Sequence, residues 1–456
     1  MASALVMEFI DSTALSTALP ALSTAFDTDP VHLKLALTSY ILALAVAAPA
    51  SGWIADKYGP RRVFMAAMSV FLAGSVLCGF SQSLGQMVLF RTLQGLGGAL
   101  MTPVGRLIVV SSAPRERFVS AMSWFTMPAL VGPLIGPPLA GLILGVASWP
   151  WIFFINVPVG LLGMLAVLRF VPPLRPPDPG PFDTKGFLLS ALGITGLMVA
   201  AETVGISLVP LCVQLVAAGL ALVGITAYVL YARRKERPVL DLRLARYDTF
   251  RASLIGGTLV RAGLGATPFL LPLMFQLGLG WSPFETGLVT IGTGLGAMAF
   301  KPVAPAFLKR FGFRSLLIFS NVATAVLTAL PAFFRASTPI PFIVVALVVG
   351  GFVRSMQFTA LNTVAFADLP PPAISNATTL TTVMQQMGMS LGISFGGLML
   401  HLARGSDGAP LTPERFVLPF IAVGVVSMLA GPLYRRLSPD AGATLGGRAT
   451  ARCSSK

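Results

Sequence analysis

Fourteen stretches of about twenty mostly apolar residues follow one another along the 456-residue chain, separated by short polar turns. A segment of that length spans the hydrocarbon core of a bilayer as a helix. The stretches run roughly over residues 2–25, 34–54, 63–82, 86–110, 118–146, 150–171, 186–204, 207–231, 252–276, 283–305, 315–334, 339–362, 376–401 and 416–434. Only 11% of residues are charged, against about 25% in a typical soluble chain. The sequence therefore predicts an all-α integral membrane protein. Disorder and collagen are excluded by the hydrophobicity and by the lack of a glycine period.

The net charge of +15 raises the question of nucleic-acid binding, and the placement of the basic residues answers it. Of 32 lysines and arginines, 23 fall in alternate turns and in the tail. These include Lys57, Arg61 and Arg62, the pair Arg115 and Arg117, and a cluster from Arg233 to Arg251. The opposite turns hold four: Lys34, Arg335, Arg404 and Arg415. By the positive-inside rule both termini are expected on the cytoplasmic side of a cell (inner) membrane. No nucleic-acid partner is implied; lipid is. The first span begins almost at Met1, with no basic residue before Lys34. A cleaved signal peptide needs a charged start, so the expectation is an upstream extension rather than cleavage.

Two pairs of motifs recur. Lys57-Tyr58-Gly59-Pro60-Arg61 is echoed by Arg310-Phe311-Gly312-Phe313-Arg314, and Arg91-x-x-Gln94 by Arg354-x-x-Gln357. The offsets are 253 and 263 residues. They imply parallel six-span halves around a midplane cavity, as in one large transporter class. The expected division is a first bundle at 1–171, a loop and inserted helix pair at 172–251, a second bundle at 252–434, and a cytoplasmic tail at 435–456.

Three segments carry a family resemblance. Gly52-Trp53-Ile54-Ala55-Asp56-Lys57-Tyr58-Gly59-Pro60-Arg61-Arg62 resembles the signature loop of the major facilitator superfamily. Span 5 contains Gly132-Pro133-Leu134-Ile135-Gly136-Pro137-Pro138-Leu139-Ala140-Gly141, similar to the antiporter motif of that superfamily's exporters. Met7 to Pro20, Trp149 to Gly160 and Phe182-Asp183 resemble the fourteen-span drug:proton antiporter branch, the EmrB/QacA type. Within it, Ala50 to Trp53, Met101 to Leu107 and Gly278 to Phe284 look most like the MdtD-type multidrug exporters. The resemblance implies the major facilitator fold, with fourteen helices arranged 6 + 2 + 6. It implies a gating turn at Gly52, Asp56, Gly59, Arg61 and Arg62, where Asp56 and the arginines form a network that locks one conformation. It also implies that Gly132, Pro133, Gly136, Pro137 and Gly141 seal the cavity against ion leak.

Ionisable groups at membrane depth are costly and hence candidates for function. Glu8 and Asp11 are i, i+3 neighbours on span 1. A carboxylate withdrawn from water can take up a proton near neutral pH. Asp11 is expected to be the better proton site, with Arg91 tuning it. Arg261 and Arg354 lie near the middle of their spans with no acid in the same span. With Gln94, Gln357, Asn362, Gln385 and Gln386 they are expected to line the substrate cavity. Arg106 and Lys301 lie near helix ends and are expected to snorkel, and Glu202 is expected to be solvated.

Other chemistry is disfavoured. Gly292 to Ala297 is glycine-rich but follows no strand, and no phosphate-binding GxxxxGK[ST] occurs. Cys78, Cys212 and Cys453 form no CxxC pair, and His32 and His401 belong to no metal-binding cluster. The expectation is a transporter rather than an enzyme: a monomeric exporter of drugs or small amphipathic molecules, driven by protons, with no cofactor or metal. The surplus of membrane arginines leaves export of anionic metabolites as the alternative, and a polytopic membrane enzyme or sensor as a remote one.

Overall fold

The structure, a computed structural model, describes residues 2–112, 128–171, 180–204, 210–236, 238–370, 373–405 and 410–441. Arg115, Arg117, the first part of span 5 and most of the expected tail lie outside them, as does the side chain of Pro133. Among the described residues the chain is helical throughout, with no strand. The helices are α1 (Ala2–Ala25), α2 (Lys34–Tyr58), α3 (Pro60–Gly79), α4 (Leu84–Ser112), α5 (Pro128–Val146), α6 (Trp151–Phe170), α7 (Thr184–Thr203), α8 (Leu211–Arg234) and α9 (Asp248–Gly278). The segment Pro283–Phe333 turns at Gly312, giving α10 (283–311) and α11 (313–333). They are followed by α12 (Ile340–Val364), α13 (Ile374–Arg404) and α14 (Pro413–Arg435).

Among the described residues, ten helical segments, counting Pro283–Phe333 as one, are long and apolar enough to cross a membrane. The helices outside that set are α4, α5 and α13, of which α4 and α13 carry several of the candidate polar residues. Both glycines of the repeated turn adopt a left-handed backbone, Gly59 at φ 86° and Gly312 at φ 73°. A side chain there would be strained, so glycine reverses the chain between two helices in each repeat.

The chain divides into two compact units. The first comprises Met1–Val239 with Phe275–Ile291, and the second Leu240–Met274 with Gly292–Lys456. The division inside α9 falls at a π-helical turn, Met274–Gly278. The core of the first unit is built from Tyr40, Leu44, Phe64, Met68, Phe71, Val104 and Ile108. Val260, Leu264, Phe300, Phe313, Leu317, Met356 and Tyr434 fill the second. Leu161, Leu162, Leu165 and Leu168 of α6, and Leu215, Val216, Leu222 and Val223 of α8, are exposed. In water such surfaces would aggregate; against acyl chains they are the stable arrangement.

The helix pair α7 and α8 packs within the first unit. Its contact is made where the backbones meet at Gly193 with Gly224 and at Gly196 with Ala221. Small residues allow such close approach, which yields dispersion contacts where lipid removes the hydrophobic drive. Glu202, at the end of α7, corrects the expectation of a solvated acid. It is buried, with its Oε2 3.9 Å from Nζ of the equally buried Lys34 at the start of α2. The packing of α7 on α2 brings these two helix-end charges together and buries both. Arg106 and Lys301 are exposed, and Lys301 donates to the Thr359 hydroxyl at 3.2 Å.

Candidate functional site

α1 carries its polar residues on a helix whose hydroxyls are satisfied locally. Ser12 donates to the Glu8 carbonyl at 2.8 Å and Thr13 to the Phe9 carbonyl at 2.7 Å. These i−4 bonds hide hydroxyls inside an apolar helix. The two carboxylates are left for tertiary partners, and they meet different ones.

Asp11 is 1% exposed and sits at the centre of a three-helix network. Arg91 of α4 donates from Nη1 to Asp11 Oδ2 at 2.5 Å. Gln94 of α4 and Asn156 of α6 each donate to Asp11 Oδ1 at 2.9 Å. Arg91 is also 1% exposed. It further donates to Gln94 Oε1 at 2.6 Å and to the Ala36 carbonyl at 3.2 Å, and its guanidinium lies 4.4 Å from the Tyr40 ring centroid. Asn156 also donates to the Ser75 hydroxyl, which in turn donates to the Phe153 carbonyl. A buried ion pair is tolerable only when its remaining hydrogen-bonding capacity is met, and here both carboxylate oxygens have donors.

Glu8, one turn earlier, is only half-buried. It accepts one hydrogen bond, from the Thr102 hydroxyl at 2.8 Å. No basic side chain pairs with it among the described residues. The two neighbouring acids therefore differ in kind: one is neutralised by a guanidinium, the other is not.

α5 packs on this helix through its glycines. A Cβ at Gly132 would lie 2.3 Å from the Phe9 Cβ, and one at Gly136 would collide with Thr13 Oγ1. At Gly141 a Cβ would meet the Pro283 carbonyl oxygen at 2.6 Å and the Phe284 Cα at 2.8 Å. Pro137 offers its backbone to Gly287 in the same way. The motif thus forms a tight seam with α1 on one side and the start of α10 on the other. Because the obstruction at Gly141 is backbone, it cannot rotate away. Gly141→Ala is expected to cost about 1–3 kcal/mol through overpacking, read as a lower melting temperature of the purified protein, whereas alanine at the open position Gly145 leaves it unchanged.

The signature turn is held differently from the expectation. Asp56 makes no ion pair with Arg61 or Arg62 in this conformation. Arg61 instead donates to the Leu168 carbonyl at 2.8 Å, in the last turn of α6. Carbonyls there lack intrahelical partners and attract cations. Arg62 and Gly52 are exposed. Trp53, quoted in the motif without a role, donates from Nε1 to the Gly180 carbonyl at 2.9 Å and packs on Phe182 at 5.0 Å. Asp183 then caps α7 and accepts from the Tyr231 hydroxyl at 2.5 Å. The turn is thereby tied to the start of the α7–α8 pair.

In the second unit Arg261 is 6% exposed. It donates to Asn362 Oδ1 at 3.1 Å and lies 5.2 Å from the Phe358 ring centroid. Gln385 donates to the same Asn362 oxygen at 3.3 Å. Three expected cavity residues thus come together, with no acid among them. Gln386 joins no hydrogen bond among the described residues. Gln94 and Gln357 depart from the expectation of cavity residues, since both are 0% exposed. Gln94 belongs to the Asp11 network, and Gln357 bonds Asn321 at 3.3 Å and accepts from Thr324 at 3.5 Å. A polar amide fully inside a helical bundle must find partners there, and these have. Sequence reasoning gave no role to Asn156, although a lone amide within the apolar opening of α6 was a visible signal.

The run of long apolar helices makes this a multi-pass membrane protein, and its family and relatives make it a transporter rather than an enzyme. The chain belongs to the major facilitator superfamily, whose family model matches residues 1–233 and 253–453. It is 38% identical over 442 residues to the "Putative multidrug resistance protein MdtD" of Pectobacterium atrosepticum, covering 95% of this chain and 94% of the relative. The protein of the same name from Escherichia coli is 38% identical over 445 residues, covering 95% and 93%. The fold is that of solved transporters. A nucleoside transporter, NupG, superposes with a TM-score of 0.63 at 15% identity, over 95% of this chain and 98% of its own. A POT peptide transporter superposes at 0.69 and 15%, over 96% and 94%.

Proposed function

We propose that this protein is a proton-coupled exporter of drugs or small amphipathic molecules, working by alternating access through fourteen crossings. Both termini would lie in the cytoplasm. The observation that carries the reading is the contrast on α1 between Asp11, locked to Arg91, and Glu8, bound only by a hydroxyl. Protonating Asp11 requires breaking an ion pair and displacing donors from both oxygens. Protonating Glu8 displaces no cation. Glu8 is therefore assigned the exchangeable proton, and Asp11 with Arg91, Gln94 and Asn156 the rigid frame that positions it. This revises the sequence-based preference for Asp11. The glycine seam of α5 closes the same helix against leak, and the Trp53 and Arg61 contacts hold the gating turn in the present state. The relatives' shared name supports drugs as the substrate class.

Proteoliposomes given an inward proton gradient and a panel of fluorescent amphipaths test the proposal. Export that rises with the gradient and collapses with an ionophore is expected. Export indifferent to the gradient sinks the coupling. A second reading, export of carboxylates, is favoured by Arg261, buried with two amides and no acid. Matched cationic and carboxylate substrates in the same assay separate the two, because only the second loses transport in Arg261→Ala.

A further inference from the structure

Arg354 makes no hydrogen bond or ion pair among the described residues, and its Nε is buried without a partner. It borders a cavity inside the second unit, of about 20 Å³, that Thr267, Thr293, Thr324 and Thr328 also line. Thr267 is 7% exposed, and its hydroxyl likewise has no partner. The cavity is large enough for one water-sized body.

The internal repeat explains the arrangement. Arg354 is the counterpart of Arg91, 263 residues on. Thr267 lies 256 residues after Asp11, between the two repeat offsets. In the first unit the aspartate on α1 neutralises the arginine on α4. In the second, a threonine on α9 borders the same cavity as the arginine on α12. Gln357, counterpart of Gln94, bonds Asn321 and Thr324 instead. The second unit thus keeps the guanidinium and lacks its acid.

Arginine stays protonated in proteins, so neutralisation by proton loss is closed to it. A water in the cavity would satisfy Nε but leave the charge, which is costly in low dielectric. We propose that this cavity is a binding site for a monatomic halide, chloride in the cell, held by the Arg354 guanidinium and the Thr267 hydroxyl. The ion takes the place that Asp11 fills in the first unit. A monatomic ion fits a space that holds about one water-sized body.

The full-length protein in detergent tests this by thermal unfolding in sodium chloride, bromide and gluconate at one ionic strength. Chloride and bromide should raise the melting temperature by several degrees over gluconate, with saturation. Arg354→Gln should abolish the response. Thr267→Asp, which supplies the missing acid, should also abolish it and should melt above the wild type in gluconate. Should Arg354→Gln not fold, Thr267→Asp alone decides. Equal melting of the wild type in all three salts overturns the proposal and leaves water as the occupant. A saturable halide response that persists in either variant overturns it too.

Discussion

Arg91→Ala unfolds at a markedly lower temperature than the wild type, and it transports nothing. That is the expected result, and its size follows from what is left behind. Asp11 keeps its bonds to Gln94 and Asn156 but loses its only cation, in a position 1% exposed. Stranding one member of a buried ion pair costs about 3–5 kcal/mol, a large part of the stability of a typical domain. Arg91 also holds the Ala36 carbonyl and the face of Tyr40, so α2 loosens with it. Asp11→Asn with Arg91→Gln together should be milder than Arg91→Ala, because no uncompensated charge remains. A double variant as unstable as Arg91→Ala would show that packing, not charge, sets the penalty. Melting curves of the three proteins in one detergent make the comparison.

Glu8→Gln has the opposite profile. Glu8 is half-buried and bonded only to Thr102, and glutamine can still accept that bond. Folding should be unchanged. Gradient-driven export should fall to background, because the side chain can no longer carry a proton, while gradient-independent counterflow of substrate persists. Substrate exchange isolates the conformational cycle from the proton step, so the two assays on one preparation divide the roles. Retained gradient dependence in Glu8→Gln would return the proton to Asp11. Loss of counterflow as well would place Glu8 in substrate binding instead.

The glycine-proline run at 132–141 was readable because small residues at helical spacing are needed wherever backbones approach, whatever the partner. The repeated turn was readable for a similar reason, since glycine is what a left-handed reversal requires, and Gly59 and Gly312 both show it. The charged residues were readable as important but not as assigned. Glu8 and Asp11 are three residues apart on the same helix, and the local sequence ranks Asp11 first for the proton. The structure gives Asp11 an arginine 80 residues away and Glu8 a threonine hydroxyl 94 away, and this contrast supports the proposal that Glu8 exchanges the proton. Lys34 and Glu202 looked like separate outer-turn charges until packing of α2 on α7 joined them. Gln94 and Gln357 looked alike in sequence, yet each serves a different internal network.

Sequence by itself determined that the chain is helical, membrane-bound and internally repeated. Those properties depend on composition, span length and local backbone demands, each of which is a property of contiguous residues. Tertiary structure alone decided which buried charge is neutralised and by what. Inside a bilayer a charge is tolerated through its partner, and every decisive partner here comes from a different helix. That is why Arg91 and Arg354, in matching motifs, end in different states: one faces an aspartate, and the other shares its cavity with threonines.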